Sequence, residues 1–415
     1  MDLTIRQNCP SCGAPIELNE ADRLLQCPFC EVNNYMVNRG PLRFVLPDKV
    51  PPHISSQDVF YVPYLRFKGN VYYCIDNTVR QKIIDTTHLA VNAAMLPRSL
   101  GLRPQAMVLS QVSEEHLGGF FRSGVKQEAI IDKAVRLSEL DNKHQGKVFL
   151  HRAFIGETLS YVYLPLYMEE GVLHDGVTNS VLARGGSVEK LRAKTSTFQD
   201  QWQPHFLNTL CPGCGETLNG EHDSLVLSCR NCHSSWEENG GKFRELSWEM
   251  VPSAKKSACS LPFWKIQVST KNIDLDRFSD YLRITNQPIV IQKSHEEQEF
   301  FFWIPAFKVR PKVFLTLAKT ITLAQHRLGK GVHELAGRLH PVTLDRQEAV
   351  ESMKTVLAES VLNQRDFFPL LPQIELKPTR VSLVYLPFNY QGHDYIQEQT
   401  TIAVAASVLQ FGRSL

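Results

Sequence analysis

The segment Cys9-Pro10-Ser11-Cys12-Gly13 is followed by Cys27-Pro28-Phe29-Cys30, with fourteen residues between Cys12 and Cys27. The same arrangement returns as Cys211-Pro212-Gly213-Cys214-Gly215 and Cys229-Arg230-Asn231-Cys232, every cysteine displaced by 202 residues. Eight of the ten cysteines therefore fall into two sets of four. A Cys-x-x-Cys turn aims two thiolates at one point. Two such turns complete a tetrahedron with no open position, which is the donor set of a structural zinc ion. A metal held in this way contributes on the order of 10 kcal/mol to the folding of a segment too small for its own core. Cys9, Cys12, Cys27 and Cys30 are thus expected to hold one Zn2+, and Cys211, Cys214, Cys229 and Cys232 a second.

Two other chemistries use these motifs, and both fit poorly. A redox dithiol needs a single Cys-x-x-Cys beside a βαβ unit rather than two facing pairs. Cys229-Arg230-Asn231-Cys232-His233 matches the attachment motif for covalent haem. However, the counterpart of His233 in the first copy is Glu31, and Cys229 and Cys232 already have partners in Cys211 and Cys214.

Outward from the knuckles, Leu3 to Met36 reads as two short β-hairpins, with Pro15-Ile16-Glu17-Leu18 and Arg23-Leu24-Leu25-Gln26 as inner strands. That pattern is a zinc ribbon. A Pro-bearing linker, 40–52, follows. The aromatic and β-branched runs Val59–Phe67 and Val71–Ile75 flank Lys68-Gly69-Asn70, which predicts a hairpin with Pro63 at an edge or a strand start. Ser113, Glu114 and Glu115 start a predicted helix over 113–140, with Ile130, Ala134 and Leu137 on its apolar face. Phe149–Ile155 and Leu159–Tyr167 read as a strand pair.

The order then repeats. Leu261-Pro262-Phe263 stands where Val62-Pro63-Tyr64 stood, and Trp303–Leu315 parallels 95–109. A helix is predicted over about 344–363, with Asp345 and Glu348 at capping-box spacing and Val350, Met353, Leu357 and Val361 on one face. Val381–Phe388 matches Leu159–Leu166 without a gap. The expected fold is β-rich α+β in a tandem duplication. Its parts are a zinc ribbon at 1–40, an α+β domain at 53–184, a linker at 185–206, a second ribbon at 207–246 and a second α+β domain at 258–415.

The chain has 415 residues, 43% hydrophobic and 21% charged, with a formal charge of +2, too near neutral to demand an anionic partner. Met1–Arg6 has no apolar signal core, and no apolar run approaches the length that crosses a bilayer. Paired cysteines without an export signal point to the cytoplasm.

Enzyme motifs are absent: there is no phosphate loop, dinucleotide fingerprint, nucleophile elbow or His-Glu-x-x-His. His326, His333 and His340 recur every seven residues near Glu334, but Gly329, Gly331 and Gly337 interrupt them, so they read as solvated or core-edge. Cys74 reads as a small buried side chain. The acidic doublets, such as Glu169-Glu170, Glu237-Glu238 and Glu296-Glu297, read as solvated turns and helix starts. Basic residues are dispersed apart from Lys255-Lys256, and Tyr64–Lys68 and Phe307–Lys312 alternate as half-buried edge strands do. The tryptophans read as core.

The Cys-Pro-x-Cys-Gly knuckles resemble the zinc ribbons of rubredoxin-like and transcription-factor-like proteins, over about 70 residues. Tyr61-Val62-Pro63-Tyr64 and Tyr385-Leu386-Pro387-Phe388 downstream are similar to strands of uncharacterised bacterial zinc-ribbon proteins. The resemblance implies the zinc-ligand role for the eight cysteines and nothing about activity. The expected function is a non-catalytic zinc-binding adaptor or scaffold that offers sheet edges and ribbon tips to a protein partner, such as a membrane-bound or assembly complex through which it would meet a membrane peripherally. The alternative is a nucleic-acid-associated factor that meets DNA, RNA or polymerase through its ribbons.

Overall fold

The computed structural model describes residues 3–124, 149–184, 195–253 and 259–412. The chain is a strand-rich α+β protein with two compact units. The first gathers Met1–Lys68, Ile84–Lys143 and Glu157–Asn208; the second gathers Gly69–Ile83, His144–Gly156 and Thr209–Leu415. The stretch expected to form one α+β domain at 53–184 thus contributes to both.

In the first unit both expected ribbon hairpins are present. Thr4–Asn8 pairs antiparallel with Pro15–Asn19, and Leu24–Gln26 with Asn33–Val37, so each knuckle sits at a hairpin turn. The first hairpin also joins a larger sheet, because Thr4–Arg6 runs parallel to Val108–Ser110. A third strand comes from His205–Asn208, across the expected boundary between the linker and the second ribbon, with Met36 opposite Phe206. The large sheet runs in the order Thr195–Ser196, Gly119–Phe121, Phe60–Ile75, Phe149–Glu169, Leu42–Val45, Val108–Gln111, Thr4–Asn8, Pro15–Asn19. Its faces bury Phe44, Val62, Tyr64, Leu109, Val162 and Leu164 on one side and Leu65, Phe120, Tyr161 and Tyr163 on the other.

The predicted hairpin at 59–75 is a single strand, Phe60–Ile75, with all sixteen residues buried. Burial along its whole length outweighs the turn preference of Gly69-Asn70. The chain reverses instead at Asp76-Asn77, with Asp76 in the left-handed region at φ 54°. Phe149–Ile155 and Leu159–Tyr167 likewise form one strand, Phe149–Glu169, in which Gly156 at φ 70° bends the backbone without turning it back. Pro63 lies in an inner strand rather than at an edge. The ladder to Gly119 and Phe120 uses only Phe60 and Tyr61, so the missing N–H of Pro63 falls beyond it. The helix expected over 113–140 does not start at Ser113: 113–118 is turn and coil, and Gly119–Phe121 is a strand. Its face at Ile130, Ala134 and Leu137 lies outside the described residues.

The second unit's sheet has the order Phe302–Pro305, Cys259–Lys271, Glu375–Gln391, Asp394–Gln397, Ala403–Ala405, with Trp248–Met250 parallel to Glu375–Gln391. Against it pack Pro311–Ala324 and Arg346–Ser360. The second helix begins as its sequence requires: the Asp345 carboxylate accepts from the Glu348 N–H at 2.9 Å, and Ala349, Met353, Val356 and Leu357 are buried. Phe307–Lys312, expected as strand, instead leads into the first of these helices, because Pro311 with its fixed φ opens it. The core includes Tyr72, Cys74, Ala153 and Ile155, carried by the two segments from the first half of the chain. The Tyr72 hydroxyl donates to the Pro311 carbonyl at 3.3 Å.

Several local geometries occur twice along the chain. Leu25 faces Asn34 and Leu227 faces Trp236, both shifted by 202 residues. Leu42–Val45 lies parallel to Ser160–Tyr163 as Trp248–Met250 does to Leu383–Tyr385. The buried Asp175 carboxylate accepts from the N–H groups of Val177 and Thr178, and the Gln397 side-chain oxygen from those of Gln399 and Thr400.

Candidate metal centres

The eight cysteines come together in the two expected sets, and within each set the four sulfurs lie within 4.8 Å of one another. Cys9 and Cys30 Sγ are 3.8 Å apart, Cys12 and Cys27 3.7 Å. In the second set Cys211 and Cys232 are 3.6 Å apart and Cys214 and Cys229 3.5 Å. A disulfide would bring two sulfurs to about 2.05 Å. A tetrahedral ion bound at about 2.3 Å separates them by roughly 3.8 Å, so this donor set fits a metal of that size.

The knuckle backbones explain how the sulfurs converge. Gly13 and Gly215 take φ of 76° and 79°, and their N–H groups return to the carbonyls of Cys9 and Cys211 at 2.9 and 2.8 Å. A residue with a Cβ would be strained there. Glu31 and His233 occupy matching left-handed positions after the other knuckle, at φ 58° and 53°. Main-chain amides also meet the sulfurs, as Ser11 N–H does Cys9 Sγ at 3.4 Å. Donation from the Cys30 and Phe29 amides draws the Cys27 thiol down to about 6 despite its desolvation. Burial pushes the Cys229 thiol up to about 12, helped by the neighbouring Cys214 and Cys232 sulfurs. Four thiols this close cannot all ionise without a cation among them.

Side chains around the two centres differ. In the second ribbon the Ser234 hydroxyl stands 3.0 Å from Cys232 Sγ and accepts from the Trp236 indole at 2.8 Å. Outside this knuckle lies a segment of the same unit. The Leu335 N–H donates to His233 Nδ1 at 3.1 Å, the Arg230 guanidinium donates to the Gly337 carbonyl at 3.2 Å, and Glu237 pairs with Arg346. In the first ribbon Asn34 replaces Trp236 and donates to the Ser11 hydroxyl at 3.1 Å. Its knuckle leaves Phe29 67% and Val32 41% exposed.

The remaining candidates are not drawn into a centre. His333 meets Trp248 edge-on at 5.8 Å, and His340 packs 5.0 Å from Phe307; the side chain of His326 lies outside the description. Among the described residues, only the two cysteine sets gather as metal donors. Cys74 and Cys259 are buried, and burial raises the Cys74 thiol to about 12. Trp236, Trp248, Trp264 and Trp303 are core residues. Lys255-Lys256 lies outside the described residues. Sequence reading missed the buried ion pair between Arg66 and Glu20, to which Asp85 adds at 3.0 Å and Ser160 donates. Its one signal was an arginine within an apolar strand.

Compared with protein-family models, curated proteins and solved structures, the chain shows no match to any of them. Among the described residues, no helix is long and apolar enough to cross a membrane.

Proposed function

We propose that this protein is a non-catalytic, cytoplasmic adaptor or scaffold, built from two duplicated halves that are each stapled by a structural zinc ion. The observation that supports this reading is the gathering of four sulfurs at each centre, a donor set that completes a tetrahedron without substrate or water. Catalytic zinc keeps a position open for them. Zinc is favoured over other metals because four thiolates at tetrahedral spacing suit it without redox chemistry. The duplication is supported by the shared offset of 202 residues in the ribbon registers and by the matched turns at Asp175 and Gln397.

Metal analysis of protein purified without added metal should find two zinc ions per chain; one or none removes the reading. Capture of the tagged chain from its native host, with and without nuclease, tests the adaptor role. A defined protein partner that survives nuclease supports it. Loss of every partner on nuclease treatment favours a nucleic-acid-associated factor.

A further inference from the structure

The two ribbons place the same backbone around their sulfurs, but one knuckle is hydrogen-bonded to a segment of its own unit while the other presents exposed apolar side chains. In the second ribbon, the knuckle Cys229–Cys232 and the residue after it hold a short stretch of main chain. His233 accepts from the Leu335 N–H, Arg230 donates to the Gly337 carbonyl, and the Leu335 side chain is buried. The equivalent positions of the first ribbon are Pro28 for Arg230, Phe29 for Asn231, Glu31 for His233 and Val32 for Ser234. Each of these four residues is exposed. Glu31 keeps the left-handed backbone of His233 and offers an acceptor oxygen in place of its ring nitrogen.

Charge then selects the occupant. A zinc ion with four thiolates carries a net charge of about −2, and Glu31 adds to it. Between Gln7 and Val37 the one cation is Arg23, whose guanidinium donates to the carbonyls of Glu20 and Asp22. The tip is therefore apolar and anionic, which repels phosphate and suits a basic chain.

We infer that the knuckle Cys27–Val32 docks an extended, basic segment of a partner protein, taking an aliphatic side chain against Phe29 and Val32 and a main-chain N–H at Glu31. This rests on the zinc-adaptor reading and specifies its surface. The contact would reproduce, between molecules, the one the second ribbon makes with its own unit.

The test uses the full chain and a fluorescent capped decapeptide with the sequence of residues 332–341 carrying Glu334→Lys, followed by anisotropy. Wild-type protein should bind it. Phe29→Ser and Glu31→Lys should each weaken binding by about tenfold or more, as loss of a central contact does. A ten-residue oligothymidine should not bind. Three results overturn the inference: no peptide binding, peptide binding indifferent to both substitutions, or oligothymidine binding that Phe29→Ser abolishes. Self-association that Phe29→Ser abolishes would overturn it too, by assigning the tip to a second copy. Zinc is counted on every sample. Two ions with no peptide binding sink this inference alone, whereas a wild-type chain without zinc removes the underlying reading and the inference with it.

Discussion

The ribbon around Cys9 and the ribbon around Cys211 share their sulfur spacing, their glycine turns and the register of their strands, yet they live in different surroundings. The first is woven into a sheet through Thr4–Arg6, while its outer knuckle faces solvent. The second has its outer knuckle and the residue after it bonded to Gly337 and Leu335, and the strand that follows to Arg346. The difference shows that the knuckle's shape depends on the cysteines and the left-handed residues after them. The two positions between the cysteines, Pro28-Phe29 and Arg230-Asn231, are left free for other work.

The largest expected effect separates the two centres. Cys211→Ser should cut bound zinc from two ions to one and forfeit roughly 10 kcal/mol of metal-linked folding in that ribbon. Hydrogen exchange should speed up in the second ribbon and leave the first unit protected. Equal loss of protection in both ribbons would mean that they fold as one cooperative body.

A smaller contrast compares two sheet cations, one buried and one partly exposed. Arg66 is fully buried with Glu20, whereas Lys265 pairs with Glu249 at 3.0 Å with about a quarter of each side chain exposed. Glu20→Ala leaves the buried Arg66 guanidinium with only the partly exposed Asp85 as a carboxylate partner and should cost about 3–5 kcal/mol in chemical denaturation. Glu249→Ala should cost about 1 kcal/mol or less. Similar costs would erase the distinction.

Next come the two knuckles themselves. Leu335→Ala should destabilise the second unit by about 2–5 kcal/mol, because it empties a filled site. Phe29→Ser should alter stability by no more than about 0.5 kcal/mol. A large loss from Phe29→Ser, read by thermal melting, would mean that its ring supports the fold.

The last effect is a slope. Burial, with Lys354 nearby, holds His151 in the second unit down at about 4, below the usual 6.5. Between those values the unfolded chain binds the proton and the folded one does not, so stability falls as pH drops from about 6.5 toward 4. His151→Phe should flatten that part of the pH profile; an unchanged slope would assign it to other groups.

What could be read in advance was local. The cysteine spacing placed the sulfurs, and Asp345 with Glu348 placed a helix start, because each signal acts within a few residues. Longer strands were misread where a turn-forming residue met burial. Gly69-Asn70 and Gly156 look like reversals, but the strands through them continue into the second unit's core. The Glu20–Arg66 pair spans 46 residues, and no periodicity in the sequence announces it.

Those two long strands have a practical consequence. A gene cut between residues 208 and 209 looks like a clean division between halves, yet the downstream fragment would lack Tyr72, Cys74, Ala153 and Ile155, which belong to its own core. Expressed alone, it should misfold or precipitate. Supplied with the upstream fragment, it should recover by complementation, which makes this chain a natural candidate for a split reporter.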